Sequence, residues 1–94
     1  MNNQEDIIKL WADFNNSTEN GVRLNCNGTI EDLARQKVEL KDGMRLLIWD
    51  EDLDENNNQD NIIVEAIATY NQKDKIWEAV FESEKVRHES DLIK

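Results

Sequence analysis

The stretch Ile62-Ile63-Val64-Glu65-Ala66-Ile67-Ala68-Thr69-Tyr70, then Asn71-Gln72-Lys73-Asp74, then Ile76-Trp77-Glu78-Ala79-Val80-Phe81, decides the fold. Two β-rich runs around a short polar turn read as a hairpin. A helix competes for the first run, because Ile63, Ala66, Ile67 and Tyr70 also recur at helical spacing and Glu and Ala are good helix formers. The hairpin is favoured by the β-branched opening Ile62-Ile63-Val64, by the shortness of both runs and by the alternation of Trp77, Ala79 and Phe81. Periodicity alone does not settle so short an apolar run.

Working back from the hairpin, Asp50 to Asn61 is a twelve-residue connection holding six carboxylates: Asp50, Glu51, Asp52, Asp54, Glu55 and Asp60. A connection of that length normally marks a mobile or functional loop. Before it, Met44, Leu46 and Ile48 alternate with Leu47 and Trp49, so both faces of a strand over 44–49 are apolar. Such a strand belongs inside a sheet rather than at its edge. Lys41-Asp42-Gly43 supplies the preceding turn, and Val38 and Leu40 suggest a brief extended piece.

The N-terminal part reads differently. Ile7, Leu10, Trp11 and Phe14 recur at i, i+3, i+4 and i+7, which predicts a helix over 4–14 that closes one end of the core, with Asn3 as its cap. Asn15-Asn16-Ser17-Thr18 ends that pattern. Val22, Leu24 and Cys26 alternate as a half-buried strand would, and Asn27-Gly28 reads as a turn. Thr29 with Glu31 and Asp32 resembles a cap with acidic first-turn residues, predicting a short helix near 30–36. From Val86 onward, Leu92 and Ile93 suggest a last strand or turn.

These elements sum to an α+β chain, mainly antiparallel β, folded as one domain over 1–94. With about five short strands and little room for crossover helices, a sheet over 21–88 curled into a small barrel is the natural closure. Residues 40–86, with a strand after Lys-Asp-Gly, a long acidic loop and a hairpin bearing Trp early in its second strand, resemble the SH3-like small barrels. That resemblance implies binding of peptides, proteins or nucleic acids rather than catalysis. Peptide-binding members line their groove with aromatics and often a proline, and this chain has no proline.

Charge narrows the partners. Acidic residues outnumber basic ones 21 to 11, a formal net charge of −10. Nucleic-acid binding rests on cations neutralising phosphates, so direct binding to DNA or RNA is disfavoured, as is an anionic membrane surface. No apolar run approaches the ~20 residues of a membrane span, and no stretch after Met1 resembles a signal peptide, so a cytoplasmic location is expected. The single cysteine, Cys26, excludes an internal disulfide. Trp11, Trp49 and Trp77 are expected to organise a small core.

Chemistry-bearing patterns are sparse. Asp50, Asp52 and Asp54 stand at the 1, 3, 5 spacing of a calcium loop, but Glu55 occupies the position that needs Gly and Asn61 the position of the closing Glu. They are weak candidates for a divalent cation. His88, the only histidine, has no motif placing Ser83 or Ser90 against it, and Cys26 reads as an inert core thiol. The three glycines are too scattered to cradle a phosphate, and a domain this small seldom encloses a small-molecule pocket. No catalytic residues and no cofactor are expected. The favoured reading is a non-catalytic interaction or regulatory protein that binds a protein partner with a basic surface. The alternatives are an inhibitor or immunity-type mimic of nucleic acid and a weak divalent-cation binder. The partner-facing candidates are the acidic residues Asp50, Glu51, Asp52, Asp54 and Glu55 with the aromatics Trp49, Tyr70 and Trp77.

Overall fold

A computed structural model describes residues 7–92. The hairpin forms: β4, Ile62–Asn71, pairs antiparallel with β5, Ile76–Val80. Lys75 takes a left-handed φ of 58° in its turn, and its N–H reaches the Asn71 carbonyl. The double-faced run is β3, Arg45–Asp50, and it lies inside the sheet as its apolar faces require. It pairs antiparallel with β4 from Arg45↔Ile67 to Asp50↔Ile62. Gly43, at φ 91°, completes the turn into β3, while its N–H and the Ala68 N–H extend the ladder.

The predicted N-terminal helix is not formed. Ile8–Trp11 is a strand, β1, paired in parallel with β3 from Ile8↔Leu46 to Trp11↔Trp49; positions 4–6 lie outside the described residues. The physical reason is that Ile8, Leu10 and Ala12 also satisfy a two-residue period. Pairing with β3 buries Leu10 and Ala12 completely, which a short isolated helix would not achieve. β2, Gly21–Arg23, pairs antiparallel with β5. The sheet order is therefore β1-β3-β4-β5-β2, with β6, Arg87–His88, added to the start of β4. Short 3-10 turns at Ser83–Lys85 and Glu89–Leu92 flank β6. Val38 and Leu40 are not in a strand.

The sheet does not close into the expected barrel. Instead each edge is covered. The free edge of β1 meets α1, Asn27–Gln36, which begins three residues earlier than the capping pattern suggested. Thr29 is not the cap. Its hydroxyl donates to the Trp11 carbonyl at 2.8 Å, the Asp32 carboxylate accepts the Trp11 N–H at 2.9 Å, and the Gln36 amide donates to the Lys9 carbonyl at 2.8 Å. One polar stripe at i, i+3, i+7 thus satisfies the backbone groups an edge strand would offer to another chain. Thr29 and Asp32 are buried, and each is hydrogen-bonded, as burial of polar groups demands. At the other edge, residues 16–18 bond to β2 through Arg23 N–H to Asn16 and Thr18 N–H to Gly21.

The core is aliphatic rather than built on the tryptophans. Leu10, Val22, Leu46, Ile48, Val64, Ala66, Ala68 and Ala79 fill it, all on one face of the sheet. Alternation sends Trp11 and Trp49 to the opposite face, where both are half-buried, and Trp77 packs at the core margin. Gly28 is the first-turn position of α1 that Trp11 approaches: a Cβ there would lie 2.6 Å from the indole. It serves close approach, not the turn that Asn27-Gly28 suggested.

Candidate functional site

The acidic connection after β3 is a built structure, not a slack loop. Asp50 starts it by turning back on the chain, with one carboxylate oxygen accepting the Phe14 N–H at 3.0 Å and the other the Glu51 N–H at 2.8 Å. Its two limbs then pair as a narrow ribbon. The Asp60 N–H reaches the Asp52 carbonyl, Leu53 bridges Gln59, and the Asp54 N–H reaches the Asn58 carbonyl. Asp54 closes the tip: its Oδ1 accepts the N–H groups of Asn56 and Asn58 at 2.8 and 2.9 Å. Asn57 adopts the left-handed φ of 66° that asparagine tolerates better than most residues.

The C-terminal segment clamps this ribbon to the sheet. β6 pairs its two residues with Ile62 and Ile63, and the next N–H, that of Glu89, bonds to the Asn61 carbonyl. His88 Nε2 lies 2.9 Å from Asp52 Oδ2, and Ser90 gives Asp60 both its N–H, at 3.0 Å, and its hydroxyl, at 2.7 Å. Lys9 from β1 joins the same region, 3.5 Å from Glu89 and 5.6 Å from the Trp49 ring centroid.

These contacts sort the candidate residues. Asp50, Asp52 and Asp54 each serve a different donor, so the 1, 3, 5 spacing does not produce a shared cage. Among the described residues no three His, Cys, Asp or Glu side chains are placed to hold a metal ion. Glu51 and Glu55 are exposed and hold no side-chain hydrogen bond or ion pair among the described residues, and Leu53 between them is also exposed, at 58%. Tyr70 and Trp77 do not join them: the two rings stack edge-on at 5.2 Å near the far end of the hairpin. Tyr70 lies seven residues along β4 from Ile63, the partner of Trp49, which is roughly 23 Å of strand. Trp49 borders a shallow hollow that Glu51 shares, together with Trp11, Gly28 and Arg35.

Cys26 is half-buried at the head of α1 rather than on a strand face, because β2 stops at Arg23 and the chain turns into the helix. Its Sγ lies 3.0 Å from the Thr29 hydroxyl, while His88 is engaged by Asp52, so no thiol–imidazole pair is formed. The sequence did not reveal His88 and Ser90 as partners of the loop's Asp52 and Asp60. His88 and Asp52 are 36 residues apart and carry no local signal. The Thr29, Asp32 and Gln36 stripe was likewise unread, although its helical spacing was visible.

The clamp is titratable. Hydrogen bonding to Asp52 raises the His88 pKa above the ordinary 6.5; desolvation opposes this, and the charges of Asp60, Asp52 and Asp91 add to the rise. The His88 contact is in turn the main cause that holds Asp52 below 3.8, ahead of the Leu53 N–H. The Ser90 hydroxyl, then its N–H, does the same for Asp60. A raised histidine contributes fully below 6.5 and loses its contribution as pH climbs through the folded value. Lowered carboxylates contribute fully above 3.8 and lose theirs as pH falls through the folded values. The clamp is therefore complete between pH 3.8 and 6.5. An NMR titration of the His88 ring is expected to give a midpoint above 6.5 that falls back toward it in Asp52→Asn; an identical midpoint in the variant would contradict the contact.

Comparison with family models, with curated proteins and with solved structures gave no match for this chain. No helix among the described residues is long and apolar enough to cross a membrane.

Proposed function

We propose that this chain is a non-catalytic interaction protein that presents its acidic ribbon to a protein partner with a basic surface. The observation that carries the reading is the division of labour among the six carboxylates. Four of them, Asp50, Asp52, Asp54 and Asp60, hold the ribbon in place, and Glu51 and Glu55 are exposed without a partner among the described residues. A preorganised charge loses less on binding than one on a disordered loop, because its backbone is already ordered. On a chain of net charge −10 the same face also speeds encounter with a cationic surface.

Affinity capture from the source cells identifies the partner, and a salt series with purified components then tests the face. Affinity is expected to fall as ionic strength rises. Glu51→Lys combined with Glu55→Lys is expected to weaken binding by about tenfold or more while leaving the thermal midpoint within a few degrees, as exposed charge changes do. Binding that is indifferent both to salt and to the double reversal would overturn the proposal. Competition by DNA or RNA for the same partner would specify the face as a phosphate mimic.

A further inference from the structure

A second feature stands apart from the acidic ribbon and does not depend on it. β5 leaves β4 after the rung Ile67↔Val80, and β6 joins only at Ile63↔Arg87. Between these rungs Glu65 has a strand partner on the β3 side alone. The chain bows away there through the 3-10 turn Ser83–Lys85, leaving an open groove of about 590 Å³. That volume falls in the range of small-molecule sites, although the groove is open to solvent along one side rather than enclosed.

The floor is apolar, formed by Leu47, Ile67, Val80 and Phe81, and Ile67 is 42% exposed within it. The rim carries Arg45, Lys85 and Arg87, three of the eleven Lys and Arg of the whole chain, against Glu65 and Glu82. Arg45 and Glu65 are paired at 3.5 Å. Lys85 and Arg87 hold no carboxylate among the described residues, leaving two unpaired cations against one glutamate. On a strongly acidic protein this rim is a local reversal of sign beside exposed apolar surface. An apolar floor with unpaired cations at its lip fits a molecule with a hydrocarbon or aryl body and an anionic head, because the body removes apolar area from water while the head takes charge-assisted hydrogen bonds.

We propose that the groove between β5 and β6 binds a small amphipathic carboxylate, its apolar body over Leu47, Ile67 and Val80 and its carboxylate at Lys85 and Arg87. The test is an NMR titration of the full chain with octanoate, with octanol as the matched neutral probe. Octanoate is expected to shift the amides of Leu47, Ile67, Val80 and Phe81 saturably, and octanol to bind at least about tenfold more weakly. Lys85→Glu with Arg87→Glu is expected to weaken octanoate binding about tenfold or more while octanol is unaffected. Ile67→Asp, at an exposed floor position, is expected to weaken both. Equal affinity for octanoate and octanol, shifts centred elsewhere, or no saturable shift with octanoate would overturn the proposal.

Discussion

Gly21→Ala is expected to lower the thermal midpoint by about 12–24 °C, the largest effect of any single substitution considered. A Cβ at Gly21 would lie 1.8 Å from the Ala79 carbonyl oxygen, and the obstacle is backbone in the neighbouring strand rather than a side chain that can swing aside. β2 has only three residues, paired from Gly21↔Val80 to Arg23↔Glu78, so it has little ladder left once that rung opens. Overpacking typically costs about 1–3 kcal/mol, and a backbone obstacle puts this site near the top of that range. For a domain of this size each kcal/mol moves the midpoint by roughly 4–8 °C. The effect also spreads inward, because Val22 in the same strand is almost wholly buried in the core. Gly28→Ala is the informative comparison. Its Cβ meets the Trp11 ring, a side chain able to shift, and a smaller loss is expected. Thermal denaturation of the two variants checks the order, and a Gly21→Ala midpoint within a few degrees of wild type would contradict it.

Asp32→Ala is expected to cost about 2–3 kcal/mol and to expose the β1 edge. The carboxylate is 4% exposed, accepts the Trp11 N–H, and holds Arg35 and the Gln36 amide with its other oxygen. Alanine leaves a strand N–H without its acceptor, which costs about 1–3 kcal/mol, and releases the two side chains that Asp32 positions. Asn keeps an acceptor oxygen for Trp11, so Asp32→Asn is expected to lose less than Asp32→Ala. Denaturant unfolding gives the energies. Amide exchange at Trp11 reports the edge directly, with faster exchange expected in Asp32→Ala. An alanine variant as stable as wild type, with Trp11 still protected, would show that the edge needs no such cover. Loss of this cover also predicts concentration-dependent association, since an uncovered strand edge templates pairing with another chain.

The elements that read correctly are those whose local pattern and tertiary setting agree. Met44–Trp49 buries Leu46 and Ile48 in the core on one face and half-buries Leu47 and Trp49 on the other, and its backbone is paired on both edges. The Ile62–Phe81 hairpin carries β-branched residues where the ladder needs them. The segment 7–14 misleads because Ile7, Leu10, Trp11 and Phe14 fit one period and Ile8, Leu10 and Ala12 fit another. Only the presence of an open β3 edge decides between them. The barrel failed for a related reason. Its closure would need β1 and β2 to pair, and those edges are instead occupied by α1 and by residues 16–18. Within the candidate site, the acidic run was legible as a cluster, but its division into holding and presenting carboxylates was not. That division depends on His88 and Ser90, which reach the loop only because β6 returns to the start of β4. The basic groove left no trace in sequence, since it comes from the place where β5 departs from β4.

Residues 51–61 form a fixed ribbon clamped by residues 87–90 rather than a mobile acid-rich loop. Backbone ¹⁵N relaxation at pH 6 tests this most directly. Order parameters for Asp52, Asp54, Asn58 and Asp60 are expected near those of the flanking strands, at about 0.85. Values below about 0.6 across the segment, the signature of a flexible loop, would contradict it.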